Sequence, residues 1–313
     1  STAYGTGGLW PHIQTEFAVI PDSATISAYL ERNLGDRFAG TRIEVINAAI
    51  ASTWTHHHLI YLNQTILRYD PDMVLFLDGF NDFYHFDPGH DEFASYAYSE
   101  HSTVIMGPPS LRALVYGNAW WLSRKSAFAY TAFRGAQTLG RLIRGKPQED
   151  PIDVEQALRG VAETFPANAL SMIERTALIL RHEEVRGVFM IQPMLLLEEQ
   201  SELVPLEQEL FEFNVESYLP NYEDFIVRAV PLVSAMEEEA VTQLGGHFMD
   251  LTSIYAGIDG QVYTDYTHLT PLGNRVLADR VADEIAPLIA KDLGGWVEDV
   301  TGTASDDTPG LNE

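Results

Sequence analysis

A continuous apolar run, MVLFL, occupies residues 73–77 and ends in the turn-forming pair Asp78–Gly79. Runs of this kind are typical of parallel strands, because helices cover such strands on both faces. Similar runs occur at 185–193, VRGVFMIQP, and at 246–251, GHFMDL, while RIEVINAAI at 42–50 indicates a buried strand that enters a turn of small residues. Segments with helical spacing of apolar residues lie between and after these runs. The alternation predicts an α/β fold with a mostly parallel sheet.

Two helices have predicted ends. The segment 23–35, SATISAYLERNLG, has apolar residues at helical spacing, with Ser23 as its predicted N-cap and Gly35 as its predicted C-cap. The last helix is predicted to begin at Thr270–Pro271, with the threonine as N-cap and the proline at the first helical position. Its apolar face comprises Leu272, Val276, Leu277, Val281, Ile285 and Leu288.

Composition narrows the class of protein. Apolar residues make up 46% of the 313 residues, so a substantial core can be buried. The net charge of −26 argues against a nucleic-acid partner, because phosphates would be repelled. The sequence contains no cysteine, which excludes disulfides, a thiolate nucleophile and thiolate-bound zinc. The sequence contains no run of about 18 apolar residues, so no integral membrane segment is predicted. No signal peptide is visible, but the composition is compatible with an exported protein.

The organisation is predicted to be one domain, residues 1–295, with an insertion and a tail. Residues 83–184 separate two predicted strands by far more chain than a crossover needs. We interpret this stretch as a helical lid over the carboxyl edge of the sheet. Its Trp120–Trp121 pair fits either the core of the lid or a contact with a sugar or an acyl chain. The tail, 296–313, is acidic and turn-rich and is predicted to be disordered.

Ligands of open parallel sheets bind at the carboxyl ends of the strands. The loop before the last helix, TDYTHL, holds Asp265 and His268. A carboxylate that accepts a hydrogen bond from one ring nitrogen fixes the imidazole tautomer, and the other nitrogen can then deprotonate a hydroxyl. Taken alone, this spacing also fits a capping aspartate beside a surface histidine.

The turn GFND, 79–82, comes directly after the first of the apolar runs. Gly79 permits a sharp turn, and Asn81 can present an amide N–H to an oxyanion. An ordinary Asx-rich turn, or an acidic loop containing Asp78 and Asp82, is the alternative interpretation.

Taken together, these segments resemble the SGNH (GDSL-like) hydrolase family. VINAAIAS, YDPDMVLFLDGFND, VFMIQPM, FMDLTSIY and VYTDYTHLTPLGNRVLADRVADEI occur in the order of that family's blocks. The resemblance implies a three-layer, flavodoxin-like fold in which Asp265 and His268 complete a catalytic triad. It also implies an oxyanion hole in the turn of Gly79 and Asn81, with a further backbone donor at Ser52, where the family has glycine.

The nucleophile that the resemblance implies is Ser1. The opening STAYGTGG resembles the nucleophile serine and the residues after it in a variant of the family. Ser1 would then be the attacking residue, and its backbone N–H would be another oxyanion donor. The family's first strand precedes this serine, so the resemblance implies that this strand is missing from the chain. Ser52 and Ser23 are fallback nucleophiles, and a free α-amine at Ser1 is an alternative base.

The predicted function is a serine ester hydrolase, similar to carboxylesterases or acetylesterases, that needs no metal or organic cofactor. The expected substrate is a small-molecule, carbohydrate or lipid ester, with Trp54 and Phe80 as candidate substrate contacts. A non-catalytic scaffold of the same family that binds a glycan or a partner chain is the main alternative. A metal-dependent hydrolase that uses the run His56–His58 is a third hypothesis, although consecutive helical residues point about 100° apart. The oligomeric state is left open.

Overall fold

The structure is a computed structural model that describes residues 20–50, 53, 55–79, 81–82, 151–217 and 221–294. Its main elements are α1 (Ile26–Arg37), α2 (Thr55–Gln64), β1 (Met73–Asp78), α3 (Val154–Thr164), α4 (Ser171–His182), β2 (Arg186–Ile191), α5 (Pro205–Ser217), α6 (Tyr222–Gln243), β3 (His247–Asp250) and α7 (Pro271–Asp292). No helix in these ranges is long and apolar enough to cross a membrane.

The sheet of the described residues has three parallel strands in the order β1–β2–β3. Asp78, Ile191 and Asp250 pair in register at the carboxyl ends of the three strands. The predicted α/β class is therefore confirmed, and each of the three apolar runs at 73–77, 185–193 and 246–251 contains a strand. The turns after the strands start from a common edge, where the candidate residues were expected.

Helices pack on both faces of this sheet. On one face, Phe76 of β1 and Phe189 of β2 stack with their ring centroids 4.9 Å apart. They share a buried cluster with Leu62 of α2 and Leu180 of α4. Val188 points to the opposite face, since side chains alternate along a strand. The cluster on that face includes Leu30 and Leu34 of α1 and Leu277, Val281 and Ile285 of α7.

The ends of α1 and α7 test the capping predictions. α7 begins at Pro271, and the Thr270 side chain accepts a hydrogen bond from the N–H three residues further on, as predicted. The predicted N-cap of α1 is wrong, because Thr25 accepts the corresponding bond and Ser23 lies exposed in a short 3₁₀ turn before it. Both residues are good N-caps, and the turn places the threonine directly before the first helical residue. The helix also continues past Gly35, so the C-cap predicted there is wrong as well.

Residues 42–50 have no regular secondary structure and form no ladder with any strand of the described residues, so the strand predicted there is wrong. Ile43 and Val45 are half-buried against the cluster that contains α1 and α7, which accounts for the alternating pattern. The Val45 N–H donates to Glu31 Oε2 of α1 at 2.7 Å instead of to a strand. Alternation reports which side chains face the core, whereas strand pairing depends on a partner elsewhere in the chain.

The end of the predicted lid, residues 151–184, forms α3 and α4. Val161 and Phe165 are buried in the core, and α4 covers β2. These helices are therefore part of the packed domain. Residues 83–150, which include the Trp pair, lie outside the described residues, and the lid there stays a prediction. The predicted tail, 296–313, also lies outside them.

Candidate active site

The segment that carries Asp265 and His268 is the closed end of a short hairpin-like loop before α7. The Thr270 N–H donates to the Val262 carbonyl at 2.9 Å, and the Thr264 N–H donates to the His268 carbonyl at 2.8 Å. The Thr264 hydroxyl donates to the same His268 carbonyl at 3.2 Å. These bonds fix the backbone on both sides of the turn, so the two candidate side chains start from defined positions.

Asp265 and His268 form a buried pair. His268 Nδ1 lies 2.7 Å from Asp265 Oδ2 and 2.9 Å from Oδ1. The main-chain N–H groups of Thr267 and His268 donate to Oδ1 at 3.0 and 2.8 Å. Asp265 is 1% exposed and His268 is 2% exposed, so these contacts are shielded from water. The three-residue spacing thus brings the acid and the imidazole into contact.

The charge of Asp265 fixes the tautomer of its partner. Burial alone would raise the pKa of Asp265, but the hydrogen bonds from His268 and from the two main-chain N–H groups outweigh it, and the pKa lies below its ordinary value. An ionised carboxylate can only accept, so His268 Nδ1 carries the proton of this hydrogen bond, and in the neutral ring the lone pair would be on Nε2. Nε2 is buried and has no hydrogen-bond partner among the described residues. A nitrogen in this state can take the proton of a hydroxyl.

Two carboxylates from the segment after β2 support the loop. Glu207 of α5, 2% exposed, accepts from the N–H groups of Val262 and Tyr263 at 2.7 and 2.8 Å. Glu198 accepts from the Tyr263 hydroxyl at 2.6 Å. Burial, opposed in part by this bond, raises the pKa of Glu198. These acidic side chains thus accept hydrogen bonds from main-chain N–H groups and a hydroxyl just before the Asp–His pair.

The turn 79–82 lies directly after β1 and is tightly built. Gly79 has φ +148°, a conformation that side chains with a Cβ rarely adopt, and its carbonyl accepts from the Asp82 N–H at 2.8 Å. Asn81 Nδ2 donates to the Thr53 carbonyl at 2.8 Å. An amide nitrogen carries two hydrogens, so one remains for another acceptor. Asp82 accepts from the N–H and hydroxyl of Thr55 at 3.1 and 3.0 Å, which ties the turn to the start of α2.

Gln192, directly after β2, links this turn to the Asp–His loop. A methyl group on Gly79 would lie 2.5 Å from Gln192 Cγ, so the glutamine packs directly over the glycine. Gln192 Nε2 donates to Thr267 Oγ1, within the Asp–His segment. The predicted oxyanion turn and the predicted base therefore meet through one side chain.

A second group of ionisable side chains lies beside the turn. His58 Nδ1 of α2 is 2.8 Å from Asp78 Oδ1, and Asp82 and Glu237 of α6 are buried nearby. Burial opposes the charge on His58, but Asp78 and Asp82 outweigh it and raise the pKa of the imidazole. Burial, followed by the Asp78 charge, raises the pKa of Asp82 to about 7. The same two causes raise the pKa of Glu237 well above its ordinary value. Within the described ranges, no three His, Asp or Glu side chains could hold a metal ion together.

The structure thus brings together Asp265 and His268 and, through Gln192, the turn of Gly79 and Asn81. Ser1, Ser52, Trp54 and Phe80 lie outside the described residues, and their roles stay predictions. No family model and no curated protein matches this chain. The case for a function therefore comes from the geometry and from the motifs of the sequence.

Sequence reasoning missed the supporting side chains. Glu207 and Glu198 lie in an acidic segment that is indistinguishable from a solvated helix face, and nothing local marks them as buried. Gln192 lies in the turn QPM, which topology marks as a place for chemistry. Its partner, Thr267, lies inside the predicted motif, but the contact between them joins positions 75 residues apart.

Proposed function

We propose that this chain is a serine ester hydrolase of the SGNH type, with the three-layer, flavodoxin-like fold of that family. The observation that carries the proposal is the buried His268 imidazole. Its Nδ1 is held by an ionised Asp265, and its Nε2 is buried without a partner among the described residues. Buried polar atoms in folded proteins are nearly always paired, so an unpaired basic nitrogen at the carboxyl edge of a parallel sheet favours a catalytic role.

Two further features support this proposal. Helices cover both faces of the parallel sheet, as a three-layer fold requires. The turn that carries Asn81 packs against the segment that carries His268 through Gln192. An oxyanion donor and a general base have to lie within reach of one reacting ester, so their shared neighbour is consistent with acyl transfer.

In the proposed mechanism, Ser1 Oγ attacks the ester carbonyl carbon while His268 Nε2 takes the hydroxyl proton. Asp265 stabilises the imidazolium that forms. The amide of Asn81 and the backbone N–H groups of Ser1 and Ser52 donate to the oxyanion of the tetrahedral intermediate. His268 returns the proton to the alcohol as it leaves. A water molecule, deprotonated by His268, then releases the acid from the acyl-enzyme.

The test is the release of p-nitrophenol from its acetate and octanoate esters. His268→Ala is expected to lower kcat/KM by about 10³-fold or more, because the base is removed. His182→Ala, which changes an exposed histidine at the end of α4, is the matched control and should keep wild-type turnover. A folded wild type that hydrolyses neither ester would contradict the hydrolase proposal and favour the glycan- or partner-binding alternative.

The nucleophile is identified separately with a fluorophosphonate, which phosphonylates an activated serine and releases fluoride. Mass spectrometry of the labelled protein should find the adduct on Ser1. Labelling should disappear in Ser1→Ala and in His268→Ala. An adduct on Ser52 or on the exposed Ser23 would overturn the assignment of the nucleophile while leaving His268 as the base.

A further inference from the structure

Gln192 is fixed by its own main chain before its side chain makes any contact. Its N–H donates to the Asp78 carbonyl at 2.8 Å, which continues the ladder between β1 and β2. Three residues further on, the Leu195 N–H donates to the Tyr266 carbonyl at 3.0 Å. Gln192 is 8% exposed. The amide therefore projects from a rigid position at the end of a strand.

From this position the side chain contacts two separate segments. Its Cγ packs over Gly79, where φ is +148° and a methyl group would lie 2.5 Å away. Its Nε2 donates to Thr267 Oγ1. The Thr267 N–H in turn donates to Asp265 Oδ1 at 3.0 Å. A continuous path of packing and hydrogen bonds thus runs from the oxyanion turn through Gln192 to the carboxylate that orients His268.

We propose that Gln192 is a positioning residue that sets the Asp–His loop relative to the oxyanion turn by holding Thr267. For its catalytic consequence the inference rests on the proposed hydrolase function. Its structural content, that the Gln192–Thr267 bond keeps the His268 ring against Asp265, does not depend on turnover. Displacement of a catalytic group by a fraction of an ångström is enough to lower a rate, since the reacting atoms must be aligned.

Three variants test the inference. Gln192→Met keeps an unbranched chain over Gly79 and removes the amide. Thr267→Val keeps the shape of the threonine and removes the hydroxyl. Thr267→Ser restores a hydroxyl and is the conservative rescue. The double variant Gln192→Met/Thr267→Val completes a double-mutant cycle, which separates the effect of the bond from the two separate truncations.

The first measurement is exchange with water of the His268 ring Nδ1–H, followed by NMR in the free protein. Gln192→Met and Thr267→Val should each speed this exchange by about five- to tenfold, which corresponds to the net free energy of one neutral hydrogen bond. The double variant should exchange no faster than either single variant, and Thr267→Ser should return to the wild-type rate. Additive effects in the double variant, or wild-type exchange in both singles, would overturn the inference.

The second measurement is steady-state hydrolysis of p-nitrophenyl acetate. Each single variant should lower kcat by about five- to tenfold with KM nearly unchanged, and the double variant should be no worse. If both single variants exchange the His268 Nδ1–H faster but keep the wild-type kcat, the proposed catalytic consequence is overturned. If the wild type lacks turnover, the hydrolase proposal fails, and the exchange cycle still decides the role of Gln192. Should Gln192→Met not fold, Thr267→Val and Thr267→Ser break and restore the same bond from the other side.

Discussion

The stability of the loop before the Asp–His pair is expected to depend on Glu207. This carboxylate is 2% exposed and accepts from the N–H groups of Val262 and Tyr263 at 2.7 and 2.8 Å. A third, longer bond comes from the Val204 N–H at 3.4 Å. Because the side chain enters the fold from α5, more than fifty residues earlier, it fixes the loop to a separate element.

The expected magnitude depends on the donors that would be left unpaired. Glu207→Ala removes the acceptor of two buried main-chain N–H groups, each of which costs about 1–3 kcal/mol when unsatisfied. The free energy of unfolding should therefore fall by about 4 kcal/mol. Glu207→Gln keeps a carbonyl oxygen for the same donors and loses the charge, so the expected decrease is about 1 kcal/mol.

Urea unfolding followed by circular dichroism measures these differences. Glu209→Ala, on an exposed position of the same helix, is the control for helix propensity and net charge, and its effect should be within about 0.5 kcal/mol. The free energy of unfolding of Glu207→Ala should be well below that of Glu207→Gln, and that of Glu209→Ala should be near the wild-type value. If Glu207→Ala loses no more stability than Glu209→Ala, the two main-chain bonds do not stabilise the loop and the reasoning is wrong.

Two more predictions concern the turn 79–82. Gly79→Ala should lower the free energy of unfolding by about 3 kcal/mol, because the alanine would be strained at positive φ and its methyl group would overlap Gln192. Gly245→Ala, which has a positive φ but open space around it, should lose about 1 kcal/mol, and equal losses in urea titrations would contradict the packing argument. The pKa of Asp82 is raised to about 7, so the folded state retains a proton that the unfolded state releases near pH 4. The contribution of Asp82 to the free energy of unfolding is therefore fully present below pH 4 and is lost as the pH rises through 7. Asp82→Asn keeps an acceptor for Thr55 but cannot titrate. Between pH 4 and 8 its free energy of unfolding should therefore fall by about 2–4 kcal/mol less than that of the wild type. Equal pH dependence of the free energy of unfolding in the two proteins would refute this assignment.

The sequence predicts the parts of this fold that depend on neighbours in the chain. The runs around β1, β2 and β3 indicate buried strands because both faces of each are covered. Thr270 and Pro271 indicate the start of α7 because a cap and a fixed φ act within one turn. The Asp265–His268 contact belongs to the same class, since four consecutive residues of a tight loop carry both groups.

Contacts between distant segments were not predictable in this way. In the segment 42–50, Ile43 and Val45 alternate with polar residues as in a strand, but the pattern does not specify a partner strand, which a ladder requires. Glu207 has the composition of a solvated helix face, yet it is buried because two main-chain donors meet it there. The contact of Gln192 with Thr267 depends on which turns the sheet brings together, and strand order rather than local spacing decides that.

The described part of the chain contains two histidine–aspartate pairs, His58–Asp78 and Asp265–His268, and their surroundings differ. His58 faces Asp78 and Asp82, and these carboxylates raise the pKa of its imidazole, which favours the protonated ring. A protonated ring has no lone pair with which to take a proton. At the other pair, two main-chain N–H groups donate to Asp265, and His268 Nε2 is buried with no hydrogen-bond partner among the described residues. A histidine beside an aspartate is thus not by itself a base. The raised pKa of His58, set against the buried and unpaired Nε2 of His268, is the reason that the proposed mechanism uses His268 as the base.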